Sequence, residues 1–225
     1  SSHVEISYAV FCLKKKEAAG RVRISTSASY FNHVLAPIVP QFMALYHAVT
    51  LDISLTDALV DLLAERTDIA IRTGPLKTSS LIARKLGETA RTIVAAPSYL
   101  EQYGQPRHVA DLKSHNLLGF SYVRSEPGWT LSEDNHSVVV PVAGRVQISD
   151  GEGVRRLAVA GAGLAMLADF TVRDDVAAGR LAPVLSHCNT GDTEVFYAVY
   201  IGEGGPLPAR IRVVLDFLSE HGRVR

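Results

Sequence analysis

The run "DIAIR", Asp68 to Arg72, is apolar enough to lie in a core, yet it ends on an arginine and is followed at once by Thr73 and Gly74. A guanidinium there is a fixed charge with a planar fork of donors, suited to bidentate pairing with a carboxylate and repulsive to cations. The same charge also suits an internal pair with Asp57 or Asp150, and the sequence leaves both readings open. Thr73 and Gly74 would let the backbone turn close to a ligand, although Gly-Pro is an ordinary turn signal as well. A second group is the hydroxyl-rich stretch Ser25, Thr26, Ser27 and Ser29. Where a strand gives way to a helix, unpaired N–H groups and the helix dipole favour an anion or carboxylate; serine and threonine are also preferred there simply as caps. Thr56 and Asp57, at the end of "TLDISL", suit capping and ligand contact equally.

The elements that must position these residues follow from periodicity. "RVRIST", "TLDISL" and "DIAIR" alternate or run apolar as strands, with helical stretches between them, and "RTIVAA" follows. Strand, helix, strand, helix, strand predicts a parallel sheet with covering helices, and such sheets bind ligands outside the carboxyl ends of their strands. Those ends are Thr26 to Ser29, Leu55 to Asp57 and Arg72 to Gly74. After Pro97, "PSYLEQYG" predicts a short helix closed by Gly104, with Ser98 and Glu101 at capping-box spacing. "NLLGFSYV", "GWTL" and "SVVVPVAG" predict short strands. "GRVQISDGEGVRRLAVAGAGLAML" predicts a strand to Ser149, a helix over about Gly151 to Ala160, a Gly-Ala-Gly turn and a buried strand Leu164 to Leu167. Ser149 and Glu152 again have capping-box spacing, with Asp150 adding negative charge at the helix start. "EVFYAVYIG" and "PARIRVVLDFLSEHG" predict a final strand and an amphipathic helix ended by Gly222.

Composition narrows the function classes. The chain has 225 residues, 47% hydrophobic and 20% charged, with 23 Lys+Arg against 23 Asp+Glu, so the overall basic excess usual in nucleic-acid binding is missing. Cys12 and Cys188 are too few for a disulfide framework or a four-ligand zinc site, and Cys188 reads as a plain thiol. No apolar run approaches the ~20 residues of a bilayer span. "GEG" and "GAG" do not make a dinucleotide fingerprint, and the nucleophile elbow, the zinc-binding His pair and a supported carboxylate dyad are missing from the sequence. Neither an enzyme nor a cofactor or metal is expected. His33 reads as neither ligand nor base, and Trp129 as a packing residue.

Four blocks, "GRVRISTSASYFNHVLAPIVPQFMALY", "LTDALVDLLAERTDIAIRTGPLKTSSLIARKLG", "APSYLEQYGQPRHVADLKSHNLLGF" and "GVRRLAVAGAGLAMLADFTVRDDVAAGRLAPVL", resemble the effector-binding domain of LysR-type transcriptional regulators over Gly20 to about Gly222. The resemblance implies an α/β fold of two Rossmann-like subdomains joined by two crossover strands, like type 2 periplasmic binding proteins. Subdomain I would be residues 21–95 and 196–225 and subdomain II residues 96–195, with 1–20 a linker or cloning remnant. It further implies a small-molecule effector, a carboxylate being one candidate, in the interdomain cleft, touching Ser27, Ala28, Ser29, Thr56, Asp57, Arg72, Thr73, Gly74, Phe120, Ser149 and Asp150. DNA would be reached only through a helix-turn-helix that this chain lacks, in a cytoplasmic protein without membrane contact. A free-standing solute-binding protein of the same fold is the alternative. Where the family commonly has a proline after the buried strand, Ala168 and Asp169 stand here.

The first helix also predicts self-association. Its apolar residues between Tyr30 and Tyr46 cover an arc of roughly 220° at about 100° per residue, whereas one core face needs about 100° or somewhat more. The surplus, together with the family's habit of antiparallel pairing, predicts a homodimer or higher oligomer through Phe31, Val34, Leu35, Ile38, Val39 and Phe42, with Pro37 and Pro40 making the helix irregular.

Overall fold

The computed structural model describes residues 18–57, 66–74, 81–122, 128–202 and 205–225. The helix expected between the second and third strands, and Cys12, lie outside the described residues. The chain divides into two compact units, one of residues 1–87 and 195–225 and one of 88–194, and passes between them twice, within two strands.

In the first unit, β1 (Gly20–Thr26) lies parallel to β2 (Val49–Leu55), in register from Gly20↔Val49 to Thr26↔Leu55, and parallel to β3 (Ile69–Thr73). The last strand, β11 (Thr193–Ile201), runs antiparallel to β3. Alternation in β1 sends Val22 and Ile24 into the core and leaves Arg21 and Arg23 outside. Burying such side chains contributes about 1.5–3 kcal/mol each. The first helix, α1, is α-helical over Ala28–Tyr30, π-helical over Phe31–Leu35 and α-helical again over Ala36–Leu45. The π turn closes where the Ala36 N–H donates to Phe31 O, immediately before Pro37, which has no N–H to give. The expected irregularity is therefore a π turn.

The final helix, α5 (Ala209–His221), buries Val213, Val214, Phe217 and Leu218 and ends at Gly222. The Phe42 ring of α1 meets Phe217 edge-on at 5.2 Å, and the Tyr30 hydroxyl donates to Gly222 O at 2.5 Å. Burial pushes the Tyr30 phenol far above its ordinary range, which keeps it protonated as that donor. Just beyond, the Val224 N–H donates to Leu86 O at 2.9 Å, and Val224 bridges Gly87.

In the second unit, β4 (Leu81–Ala95) pairs antiparallel with β9 (Ala165–Ala168) and β10 (Ala182–Val184). Its successive residues enter opposite cores: Ile93 and Ala95 pack with Trp129, Leu131 and Leu164, while Val94 packs with Leu118, Val154 and Leu167. Trp129 is thus a core residue, on the hairpin of β6 (Gly128–Glu133) and β7 (His136–Pro141), whose turn residues Asp134 and Asn135 both have positive φ, as a two-residue type I′ turn requires. The short strands β5 (Gly119–Phe120) and β8 (Gln147–Ile148) pair parallel. Cys188 is buried, and burial raises its thiol pKa away from nucleophilic character.

Three helices cover this unit, α2 (Pro97–Tyr103), α3 (Gly151–Val159) and α4 (Asp169–Ala177). Both expected capping boxes are corrected. Pro97 takes the first position of α2 behind Ala96, because its fixed φ suits that place and its missing N–H costs nothing there. Helix α3 is capped by the Asp150 carboxylate, which accepts from Gly153 N at 2.7 Å, while Glu152 turns to Arg155 instead of reaching back to the cap. Arg155 Nε lies 3.0 and 3.1 Å from the two Glu152 oxygens, its second arm bonds Asp175 on α4, and Arg180 Nε holds the other Asp175 oxygen at 2.6 Å. At the family's usual proline, Ala168 precedes α4 and Asp169 opens it, accepting a hydrogen bond from the Thr92 hydroxyl. Among the described residues no helix is long and apolar enough to cross a membrane.

Candidate ligand-binding site

The parallel register of β1, β2 and β3 brings their carboxyl ends together, because Thr26 faces Leu55 and Ser25 faces both Ser54 and Ala70. The Thr56 N–H donates to Thr26 O at 2.8 Å, fixing the end of β2 to the end of β1. Ser27 caps α1, its hydroxyl accepting from Tyr30 N at 3.1 Å, and Ala28 and Ser29 follow half-buried in the first turn. Capping is thus realised at Ser27. Its neighbour Thr26 is fully buried and its hydroxyl oxygen has no hydrogen-bond partner among the described residues. An unpartnered buried hydroxyl costs about 1–3 kcal/mol, so this position invites a bound water or ligand atom.

Arg72 does not extend into solvent. Its side chain folds back over the end of β1, where NH2 donates to Ser25 Oγ at 2.7 Å and NH1 donates to Ile71 O at 2.8 Å and Ser25 O at 3.3 Å. The positive group therefore sits beside the Ser25 hydroxyl at the end of β1. Asp57 is half-buried beside Thr56 in sequence, with one carboxylate oxygen fully enclosed. Thr73 is exposed, and Gly74 turns the chain with φ +83°, a conformation that disfavours side chains.

In the second unit, Phe120 is half-buried against the core around Leu118, its ring 5.3 Å from Tyr122. Ser149 is exposed and Asp150 is the α3 cap already described. Helix α3 approaches β8 closely because Gly153 has no side chain: a Cβ there would stand 2.6 Å from Ile148 Cγ2. Of the self-association residues, Leu35 and Phe42 are each 2% exposed and belong to the core of their own unit. Phe31, Val34, Ile38 and Val39 are half-buried, and Met43, which sequence reasoning left out of that set, is 61% exposed. Ser25 is the polar residue whose role the sequence hides, because nothing local reveals that the hydroxyl meets Arg72, 47 residues on. Among the described residues no cluster of three or more His, Cys, Asp or Glu could hold a metal ion.

Two α/β units linked by two strand passages, with polar strand ends in the first, define a regulatory domain of the type 2 periplasmic-binding-protein-like class. The chain belongs to the family described as LysR substrate binding domain, whose sequence model matches residues 15–223. It is 33% identical over 201 residues to the HTH-type transcriptional regulator CrgA of Neisseria meningitidis serogroup C, covering 89% of this chain and 67% of that protein. It is 31% identical over 202 residues to the HTH-type transcriptional activator AaeR of Escherichia coli K12, covering 90% and 65%. The solved regulatory domain of CrgA from Neisseria meningitidis superimposes with a TM-score of 0.83 at 32% identity, covering 90% of this chain and 98% of that one. The chain thus spans about two thirds of the length of such regulators.

Proposed function

We propose that this chain is the sensing part of a transcription regulator and not an enzyme, and that it binds a small carboxylate at the ends of β1, β2 and β3. The observation that supports the reading is Arg72, a guanidinium drawn onto the end of β1 by the Ser25 hydroxyl and carbonyl. A carboxylate arriving there would gain charge-assisted hydrogen bonds. The proposal rests on the first unit alone. Effector binding alters DNA binding by the rest of the regulator only if the effector prefers one of two conformations, because a ligand shifts an equilibrium by its differential affinity and no more.

The test is calorimetric titration with benzoate, succinate and the neutral benzamide. Arg72→Ala is expected to weaken carboxylate binding by about tenfold to a hundredfold, the range of a hydrogen bond to a charged group, while the exposed Lys113→Ala leaves it unchanged. Equal affinities for both variants would remove Arg72 from the site, and binding of benzamide as tight as benzoate would remove the carboxylate.

We also propose that the regulator pairs through the outer face of α1, reduced to Phe31, Val34, Ile38 and Met43 once Leu35, Phe42 and Val39, which lines a small internal cavity with Ile24 and Phe217, are set aside. Sedimentation at micromolar concentration should give a dimer that Ile38→Glu dissociates. A monomer for the unaltered chain sinks this reading.

A further inference from the structure

Ser25 occupies a position in β1 that a strand would ordinarily fill with an apolar or β-branched residue. It is 1% exposed, pairs with Ser54 on one side and Ala70 on the other, and stands between the buried Ile24 and Thr26. A buried hydroxyl needs a partner, and here the partner is Arg72: the hydroxyl accepts from NH2 at 2.7 Å while the carbonyl of the same residue accepts from NH1 at 3.3 Å. With the further bond from NH1 to Ile71 O, two of the three guanidinium nitrogens are held by the ends of β1 and β3. Arginine has a long, rotamer-rich side chain, and a planar fork recognises a carboxylate well only when its plane is already set. The main-chain carbonyls fix one nitrogen. The Ser25 hydroxyl holds the second, and the directions of the bonds at the two nitrogens set the plane of the group.

We infer that Ser25 is a positioning residue that sets the plane of the Arg72 guanidinium and so gives the site its preference for a carboxylate over a neutral amide of the same shape. The carboxylate preference rests on the proposed function; the positioning of Arg72 does not. A directly binding serine and a merely structural one would behave differently from a positioning one. A direct contact adds its own contribution whether or not Arg72 is present, and a structural role weakens charged and neutral ligands alike.

The experiment has two arms. In the ligand-free chain, the Arg72 Nε–H resonance, followed by 15N NMR, should be sharp and slowly exchanging, become motionally averaged in Ser25→Ala, and recover in Ser25→Thr, which keeps the hydroxyl. In the binding arm, Ser25→Ala should weaken benzoate about fivefold to thirtyfold, leave benzamide unchanged, and add nothing in an Arg72→Ala background. An Arg72 signal equally ordered with and without the hydroxyl overturns the inference, as does a Ser25→Ala loss that persists in the Arg72→Ala background. If Arg72→Ala alone weakens benzoate while Ser25→Ala does not, positioning fails and the carboxylate reading stands. If Arg72→Ala leaves benzoate unaffected, or the unaltered chain does not bind it, the carboxylate reading fails and the NMR arm alone decides whether Ser25 holds Arg72.

Discussion

Replacing Arg155 by alanine is expected to lower the stability of the second unit by about 3 kcal/mol, the lower end of the cost of breaking a buried ion pair. The side chain holds Glu152 through both carboxylate oxygens and Asp175 through its second arm, and those two carboxylates are only 6% and 3% exposed. Without Arg155 the two acids still have Arg156 at 3.5 Å from Glu152 and Arg180 at 2.6 Å from Asp175, which is why the lower end applies. Arg155→Lys should recover part of the loss, since an ammonium cannot span both acids with the same fork. The pH dependence has a defined sign. Burial alone would raise the Asp175 carboxyl, but the hydrogen bonds and charges of Arg180 and Arg155 outweigh it and leave the group below its ordinary range. A depressed carboxylate contributes stability that is complete above the unfolded value of about 3.9 and is lost as pH falls through the folded one. Urea titrations should therefore show the full gap between wild type and variant at pH 7 and a narrowing gap below about pH 4. A gap that stays constant into acid would mean that the loss is one of packing.

Gly87→Ala is the second substitution expected to be severe. The residue has φ +127°, where a side chain is strained, and a Cβ there would stand 2.1 Å from Val224 O and 3.0 Å from Val224 C. Strain of this kind costs about 1–3 kcal/mol, and the clash is with backbone that cannot rotate away. Relief would require breaking the bond from Val224 N to Leu86 O and releasing the segment that follows α5. A combined loss of about 3 kcal/mol corresponds to a Tm drop of roughly 6–12 °C in a chain of this size. Gly104→Ala is the control, because Gly104 also has positive φ, at +83°, yet a Cβ there meets nothing within 4 Å. It should lose less than Gly87→Ala, because it carries the backbone strain without the clash. If calorimetric scans give both variants the same Tm, the contact with Val224 carries no weight.

These two sites show where sequence reading stops. The strands β1, β2 and β3 were legible because alternation and the stops at hydroxyl residues are local signals, and the final helix was legible from its apolar face and Gly222. Glu152 and Arg155, three residues apart on one helix, are a visible pair, but Asp175 lies 20 residues beyond Arg155 and only the packing of α3 on α4 brings it in. Gly87 and Val224 meet across most of the chain. The cap of α3 was misplaced because Ser149 and Asp150 are both good caps and spacing to Glu152 favoured the wrong one, whereas Glu152 had a stronger partner in Arg155. The apolar arc of the first helix was overestimated for a geometric reason. A wheel at about 100° per residue assumes one unbroken helix, whereas the π turn at Phe31–Leu35 changes the angle between Tyr30 and the residues that follow, and Leu35 and Phe42 lie in the core.

The sheet of the first unit ends on an edge strand that carries charge. Strand β2 pairs with β1 along one side, and among the described residues no strand covers its other side. A bare strand edge is a template for pairing with foreign chains, and Leu55 near its end is 49% exposed. Asp52 stands midway along β2, with Arg21 at 3.7 Å and Arg23 at 4.0 Å from its carboxylate. These charges lie on the solvent face of the two outermost strands, so an incoming β-segment would have to strip water from them to stack there. Charges placed on an edge strand are the general means by which such edges are kept from pairing with foreign chains, whereas ion pairs this exposed contribute little to folding.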